Sequence, residues 1–303
     1  QVGSEDKNDV LFLGQRIRWV GDAIQVDQMR NIEELTEIEF DKSIKDEIQC
    51  DKSMHTKYRS VLGQLNWLQS RTQFQICYRF SRCAAASSSP TYADVRTINK
   101  LVRSVRSQPV TLKFHKLRGN NLRLLCYPDA AYRNNPDGSS QRGQTIFLAE
   151  ERDSSTANFT PGRQAQRQQQ GEGNREFVAR LRTGLGKAAS PKGSLIDYES
   201  TKIQRTTLST TVSELYAFMK AYGTGLFLRG LWMDLSGDAV DLHMRTDANN
   251  LVTTAKTTHL PEQKETIHMI QMLRQETQSG QIDDLAHVVS EDCMADCLTK
   301  QSA

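Results

Sequence analysis

Leu124-Leu125-Cys126-Tyr127-Pro128-Asp129-Ala130 reads as an apolar strand that delivers a carboxylate at its end. Working outward, three further strings place an acid at a comparable point. Leu208-Ser209-Thr210-Thr211-Val212-Ser213-Glu214-Leu215-Tyr216 opens an apolar helix with Glu214 near its start. Arg245-Thr246-Asp247-Ala248-Asn249 ends a strand carrying Leu242 and Met244, and Ala295-Asp296-Cys297-Leu298-Thr299-Lys300 closes the chain's patterned part. Asp129, Glu214, Asp247 and Asp296 follow one another at intervals of 85, 33 and 49 residues. A lone acid on a helix as apolar as Leu215–Tyr222 is unfavourable unless it is paired or binds a cation. Its competing reading is a residue complementing the helix dipole behind a cap at Thr211 or Ser213.

In that order the strings resemble the RNase H part of copia-type (Pseudoviridae-like) LTR retrotransposon Pol polyproteins. That family carries a D-A-D/A strand end, an LSSTEAEY helix start, a CDNQ strand end and a closing ADILTK. Upstream, Tyr58-Arg59-Ser60-Val61-Leu62-Gly63-Gln64-Leu65-Asn66-Trp67-Leu68 is similar to the family's YRSLVGSLNYL, and Thr72–Arg82 to its TRPDIAYAVSRLSR. The segment Phe12-Leu13-Gly14 with Ile17 is similar to the FLG-x-x-I strand that follows the polymerase centre there.

The resemblance implies a mixed α/β chain in which an RNase H-like five-stranded mixed sheet with flanking helices follows a small helical thumb-like region. The expected divisions are the end of a reverse-transcriptase palm at 1–56, a helical thumb or connection region at 57–118, and an RNase H-like domain at 119–303. It also implies that Asp129, Glu214, Asp247 and Asp296 hold two Mg²⁺ ions, with Mn²⁺ a substitute. Asp129 would bridge both, because its strand and that of Asp247 are neighbours in the family's sheet. Mg²⁺ takes oxygen donors, so carboxylates suffice, and two ions about 4 Å apart suit phosphodiester hydrolysis. The implied partners are an RNA/DNA hybrid and the upstream palm of the same polyprotein, with no small molecule. The implied location is intracellular, in a cytoplasmic virus-like particle or the nucleus, and not secreted. The start at Gln1 reads as part of a longer reading frame or an incomplete gene model.

Composition leaves this reading open. The chain has 303 residues, 25% charged and 37% hydrophobic, with a net charge of +3. No apolar run approaches the roughly 20 residues that span a bilayer, and no signal peptide is visible. The six cysteines form no C-x-x-C pair and read as reduced thiols rather than a zinc site. Charge is uneven. Residues 152–193 hold eight Lys/Arg against three Asp/Glu, in a Gln/Arg/Gly-rich stretch whose low apolar content reads as a disordered basic insertion at about 152–192. That insertion is either filler or a weak RNA contact. From Val95 to Pro128 eight basic residues meet no acid.

The helix expected over about 92–107 sets Val95, Ile98, Val102 and Val105 on one side and Arg96, Lys100 and Arg103 on the other. That is either a thumb helix lying on a nucleic-acid backbone or a plain surface helix. Strands are expected at about 10–19, 122–127, 144–149, 195–207, 240–246 and 284–289. Helices are expected at 58–69, 73–86, 211–235 with an interruption near Gly223 and Gly225, 262–278, and from Ser290 onward. Arg142, Lys202, Arg205 and Asn249 are candidate donors to phosphate or 2′-hydroxyl groups, each equally readable as a solvent-facing hairpin residue. His287 lies nine positions ahead of Asp296 and is given no role. Around His259, Lys264 and His268 the family's His-Ile-Asp tract is missing. Asp283-Asp284 lacks the aromatic residue of a polymerase hairpin, so no DNA synthesis is expected. Two rivals remain: a catalytically silent remnant or RNase H-fold binding module, and a DNA-strand nuclease or integrase on the same fold.

Overall fold

The computed structural model describes residues 8–117, 121–150, 193–257 and 266–300. The expected insertion, together with His259 and Lys264, lies outside them.

A sheet of five strands is built around β5 (Leu122–Ala131). On one side β5 pairs antiparallel with β6 (Gln141–Glu150), which pairs antiparallel with β7 (Gly193–Lys202). On the other it pairs parallel with β8 (Asp241–Thr246), which pairs parallel with β9 (Asp284–His287). The order β7-β6-β5-β8-β9 is the mixed RNase H-like sheet expected from the sequence. A parallel neighbour needs a crossover connection, and the helix α5 (Thr210–Ser236) supplies it between β7 and β8. Leu124, Cys126, Ile146, Leu242 and Met244 bury one face of the sheet. Against them pack Leu215, Phe218, Ala221 and Tyr222 of α5, Leu251 and Val252 of α6 (Asn249–Lys256), and Ile270 and Leu273 of α7 (Ile267–Gln278).

The expected break in α5 does not occur. The helix runs unbroken for 27 residues from the Ser209 cap, whose hydroxyl accepts the Val212 N–H at 3.3 Å, to Gly237 at φ +77°. Gly225 serves packing instead. A Cβ there would lie 2.6 Å from Leu242 Cδ1 and 3.0 Å from Cys126 Sγ, so the helix can sit this low on the sheet only without a side chain. The expected terminal helix is also absent. Ser290–Asp292 and Asp296–Leu298 form separate 3₁₀ turns, with Cys293 between them in extended backbone. Cys293 and Leu298 are fully buried, and that packing replaces helical continuity.

A second sheet precedes this one. The single strand expected over 10–19 folds back on itself as β1 (Asp9–Phe12) and β2 (Gln15–Val20). Leu13 and Gly14 both take positive φ, 48° and 72°, the geometry of a two-residue hairpin turn. β3 (Ala23–Asp27) continues the meander, and β4 (Leu112–His115), a strand the sequence reading lacked, closes it against β3. Between β3 and β4 lie α1 (Met29–Glu33), α2 (Lys52–Gln69), α3 (Cys77–Ala85, after a 3₁₀ turn at Phe74–Ile76) and α4 (Tyr92–Ser107). Asp51 caps α2 through the Met54 N–H at 2.7 Å, and Thr91 with Asp94 forms a capping box on α4. Val95, Ile98, Val102 and Val105 of α4 bury against Tyr58, Val61, Leu65 and Leu68 of α2, as their spacing required.

Gly225 and Gly223 make an internal control. Gly225→Ala is expected to lower stability by ~1–3 kcal/mol through overpacking. Gly223→Ala, where a Cβ meets nothing within 4 Å, is expected to raise it by up to about 1 kcal/mol through helix propensity. Urea unfolding of the two variants checks the contrast, and equal effects would contradict it.

Candidate metal centre

The parallel register of β5 and β8 does the first placement. Arg123 pairs with Asp241 and Cys126 with Met244, an offset that, carried three residues on, sets Asp129 level with Asp247. Asp129 is not at the strand's end, as expected, but inside it, opposite Gly143 of β6 and 1% exposed. Asp247, half-buried past the end of β8, accepts the Ser290 hydroxyl at 2.8 Å.

Glu214 enters from the second turn of α5. The helix start is tied to the β8–α6 corner by Asn250 Nδ2, which donates to Thr211 Oγ1 at 2.8 Å. Ser209 caps the helix, so Thr211 and Ser213 are free of that task and Glu214 lies beyond the first turn. Its carboxylate accepts the Ala130 N–H, while Oε2 is buried without a hydrogen-bond partner among the described residues. Burial above all, then Asp129 and Asp247, push the Glu214 carboxyl up to about 9. Asp129 is raised to about 6, by burial first, against the pull of Lys300 and the Thr299 hydroxyl, which donates to its Oδ2.

The C-terminal segment reaches Asp129 because Gly143 lets it. A Cβ on Gly143 would lie 2.8 Å from Leu298 Cβ and 2.9 Å from Thr299 Cγ2. Asp296, half-buried, is ion-paired to Lys300, four residues on. Burial works against the Lys300 charge, but Asp129 and then Asp296 and Asp247 outweigh it and hold the ammonium above its ordinary range.

The tightest cluster differs from the expected one. Single ligand atoms of Asp129, Asp247 and Cys293 lie within 4.8 Å of one another. Glu214 and Asp296 lie outside this triangle but within electrostatic reach of it: Asp296 raises the Asp129 carboxyl, and Asp129 raises that of Glu214. Cys293, Thr299 and Lys300 were not among the sequence candidates, although the last two stand in the string quoted for Asp296. No feature of the sequence marks Cys293. Even so, the residues fit a divalent cation. Carboxylates too crowded to ionise together and a buried carboxylate oxygen with no partner are what a cation would relieve.

The candidate nucleic-acid donors divide. Arg142 Nε donates to Thr201 Oγ1 at 3.0 Å, one residue from the cross-strand partner of Asp129. Lys202 ends β7 in an ion pair with Asp137. Arg205, past that strand, lies 6.0 Å from the Tyr216 ring, and exposed Asn249 donates its N–H to the Asp247 carbonyl at 3.0 Å. The basic stripe of α4 is not a free one. Arg96 donates to the Lys42 and Ile44 carbonyls, pairs with Asp46 and stacks on Phe40 at 5.0 Å. Arg103 pairs with Glu37, and Lys100 is exposed. Arg96 fastens the 40–46 loop, a task invisible in helical periodicity. His287 is exposed at the end of β9.

No family model matches the chain, and no curated protein does. Solved structures similar to it include RNase H1 from Halobacterium salinarum NRC-1, at 17% identity and TM-score 0.32 over 58% of this chain and 93% of that one. LC11-RNase H1 in complex with an RNA/DNA hybrid gives 14%, 0.34, 58% and 93%. The N-terminal RNase H domain of a Mycobacterium tuberculosis protein, fused to maltose-binding protein, gives 14%, 0.33, 59% and 91%. The order and directions of the strands, rather than this likeness, define the fold.

The raised Glu214 carboxyl has a testable sign. Between its ordinary 4.5 and about 9 the folded protein keeps a proton that the unfolded chain releases. The associated stability is therefore complete below that window and is lost as pH rises through it. Glu214→Gln, measured in chelator, is expected to be the more stable protein at about pH 8, by on the order of 2–4 kcal/mol, and to show a flatter pH dependence. Thermal unfolding across the window checks this. A variant no more stable than wild type at the alkaline end contradicts the crowding.

Proposed function

We propose that the chain is a ribonuclease H, cleaving the RNA strand of RNA/DNA hybrids endonucleolytically with Mg²⁺ and leaving 3′-hydroxyl ends. The observation that carries this reading is the convergence of Asp129, Glu214 and Asp247, with the Glu214 Oε2 buried and unpartnered. Asp129, Glu214, Asp247 and Asp296 would hold the cations, Mn²⁺ serving as a substitute. Divalent cations, when bound, supply Lewis acidity to the phosphodiester.

The chain's own groups do the rest. Asp129 is held in one orientation by the Thr299 hydroxyl, and Asp247 by Ser290. Lys300 offsets the negative charge of the cluster and turns to Asp296. Arg142, Lys202, Arg205 and Asn249 would take phosphate and 2′-hydroxyl contacts, which let a protein tell RNA from DNA. On the strength of the strings around Glu214 and Asp296, the chain is the C-terminal part of a copia-type Pol polyprotein. Its other partner is the reverse-transcriptase palm, with 1–56, 57–118 and 119–303 as the palm end, thumb-like and RNase H-like parts.

A labelled RNA/DNA hybrid incubated with the purified chain and Mg²⁺ tests the reading. RNA-strand cleavage is expected, abolished by chelator and reduced about 100-fold or more in Asp247→Asn, as when a charge-stabilising group is removed from a transition state. Intact RNA with folded protein overturns it. Salt-sensitive hybrid binding in that sample would instead identify a silent binding module.

A further inference from the structure

The triangle of ligand atoms contains a donor that phosphodiester cleavage does not need. Hard cations such as Mg²⁺ take oxygen and gain nothing from sulfur. Yet Cys293 Sγ shares the 4.8 Å cluster with a carboxylate oxygen each from Asp129 and Asp247. Its placement is built into the fold. The thiol is fully buried and donates to the Pro128 carbonyl at 3.6 Å, beside Asp129 in β5. The Cys293 N–H is held by the Ser290 carbonyl at 3.1 Å, and the Ser290 hydroxyl holds Asp247. One 3₁₀ turn therefore positions both the sulfur and a carboxylate. A second observation points independently to a cation here. Glu214 is 8% exposed and carries a buried oxygen without a partner, in a carboxylate that senses Asp129 and Asp247.

We propose that Asp129, Asp247 and Cys293, with Glu214 as a fourth donor, form a site for a thiophilic divalent cation such as Zn²⁺ or Cd²⁺, which displaces the hard cations and switches the centre off. Three oxygens and one sulfur make a four-donor set, the number preferred by Zn²⁺. Sulfur also shifts selectivity from Mg²⁺ toward thiophilic metals. As the metal–sulfur bond forms, the Cys293 S–H bond breaks and its proton passes to solvent; the carboxylates change only their partner. Zn–S and Zn–O bonds of about 2.3 and 2.0–2.2 Å require donors closer than the present cluster, so the Asp247 carboxylate exchanges the Ser290 hydroxyl for the metal as it draws in. The inhibitory consequence rests on the nuclease reading, whereas the binding does not.

The test is a Cd²⁺ titration of the metal-free full chain, read by the ultraviolet sulfur-to-cadmium charge-transfer band, with Mg²⁺ present in excess. A saturable band at one Cd²⁺ per chain is expected. Cys293→Ser and Cys293→Ala should both lack it, and Asp247→Asn should weaken binding at least about tenfold, the loss that removal of even an outer partner brings. Circular dichroism establishes that the variants are folded. No band in wild type, a band that survives in both Cys293 variants and disappears in Cys297→Ser, or undiminished affinity in Asp247→Asn each overturns the proposal. A wild-type band on a chain inert toward hybrid sinks the nuclease reading and leaves the cation site standing. Hybrid cleavage without a band does the reverse.

Discussion

Asp129 is a carboxylate inside the central strand of a sheet, with almost no access to water. Burying such a group is unfavourable unless positive charge or hydrogen-bond donors replace its hydration. Here the neighbours make matters worse, since Asp247 and Asp296 add like charge. One pKa unit corresponds to about 1.4 kcal/mol, so a Glu214 carboxyl pushed up to about 9 records a site far from electrostatic balance. The C-terminal segment provides the partial remedy in the described residues, donating the Thr299 hydroxyl and bringing the Lys300 ammonium. A divalent cation is the fuller remedy.

The architecture is arranged around keeping that imbalance in place. A parallel β5–β8 pair sets two acids level, and the crossover helix that parallel pairing demands delivers the third. Gly225 brings that helix close to the sheet, and Gly143 lets the C-terminal segment lie over β6, directly opposite Asp129. Both glycines are needed for the space they leave rather than for backbone freedom. The hydrophobic packing of α5, α6 and α7 on one face of the sheet supplies the stability that the acidic edge gives up.

Much of this was legible in the sequence because it follows from local periodicity. The apolar stripe of α4 and the three acids from β5, α5 and the end of β8 came from patterns within single elements, whereas the strand order came with the family resemblance. What was missed depends on contacts distant in sequence. Gly223 and Gly225 look alike as helix breakers, but only the second meets Leu242 and Cys126. The hairpin at Leu13-Gly14 is concealed in an apolar run, and β4 exists as a strand because β3 is there to pair with it. Arg96 looked free on a helical wheel and is occupied by carbonyls more than fifty residues away. Cys293 joins the acids in a segment where two short 3₁₀ turns stand in place of the expected helix.

The charge imbalance at the acidic edge calls for a cation. A crystal of the metal-free protein soaked in Mn²⁺ and measured at the manganese absorption edge tests it most directly. Anomalous density in contact with Asp129, shared with Asp247 and Glu214, and with Lys300 drawn away from Asp296, is the predicted result. An edge free of manganese at saturating concentration, with the Lys300–Asp296 pair intact and Mn²⁺ bound elsewhere on the chain, would contradict it.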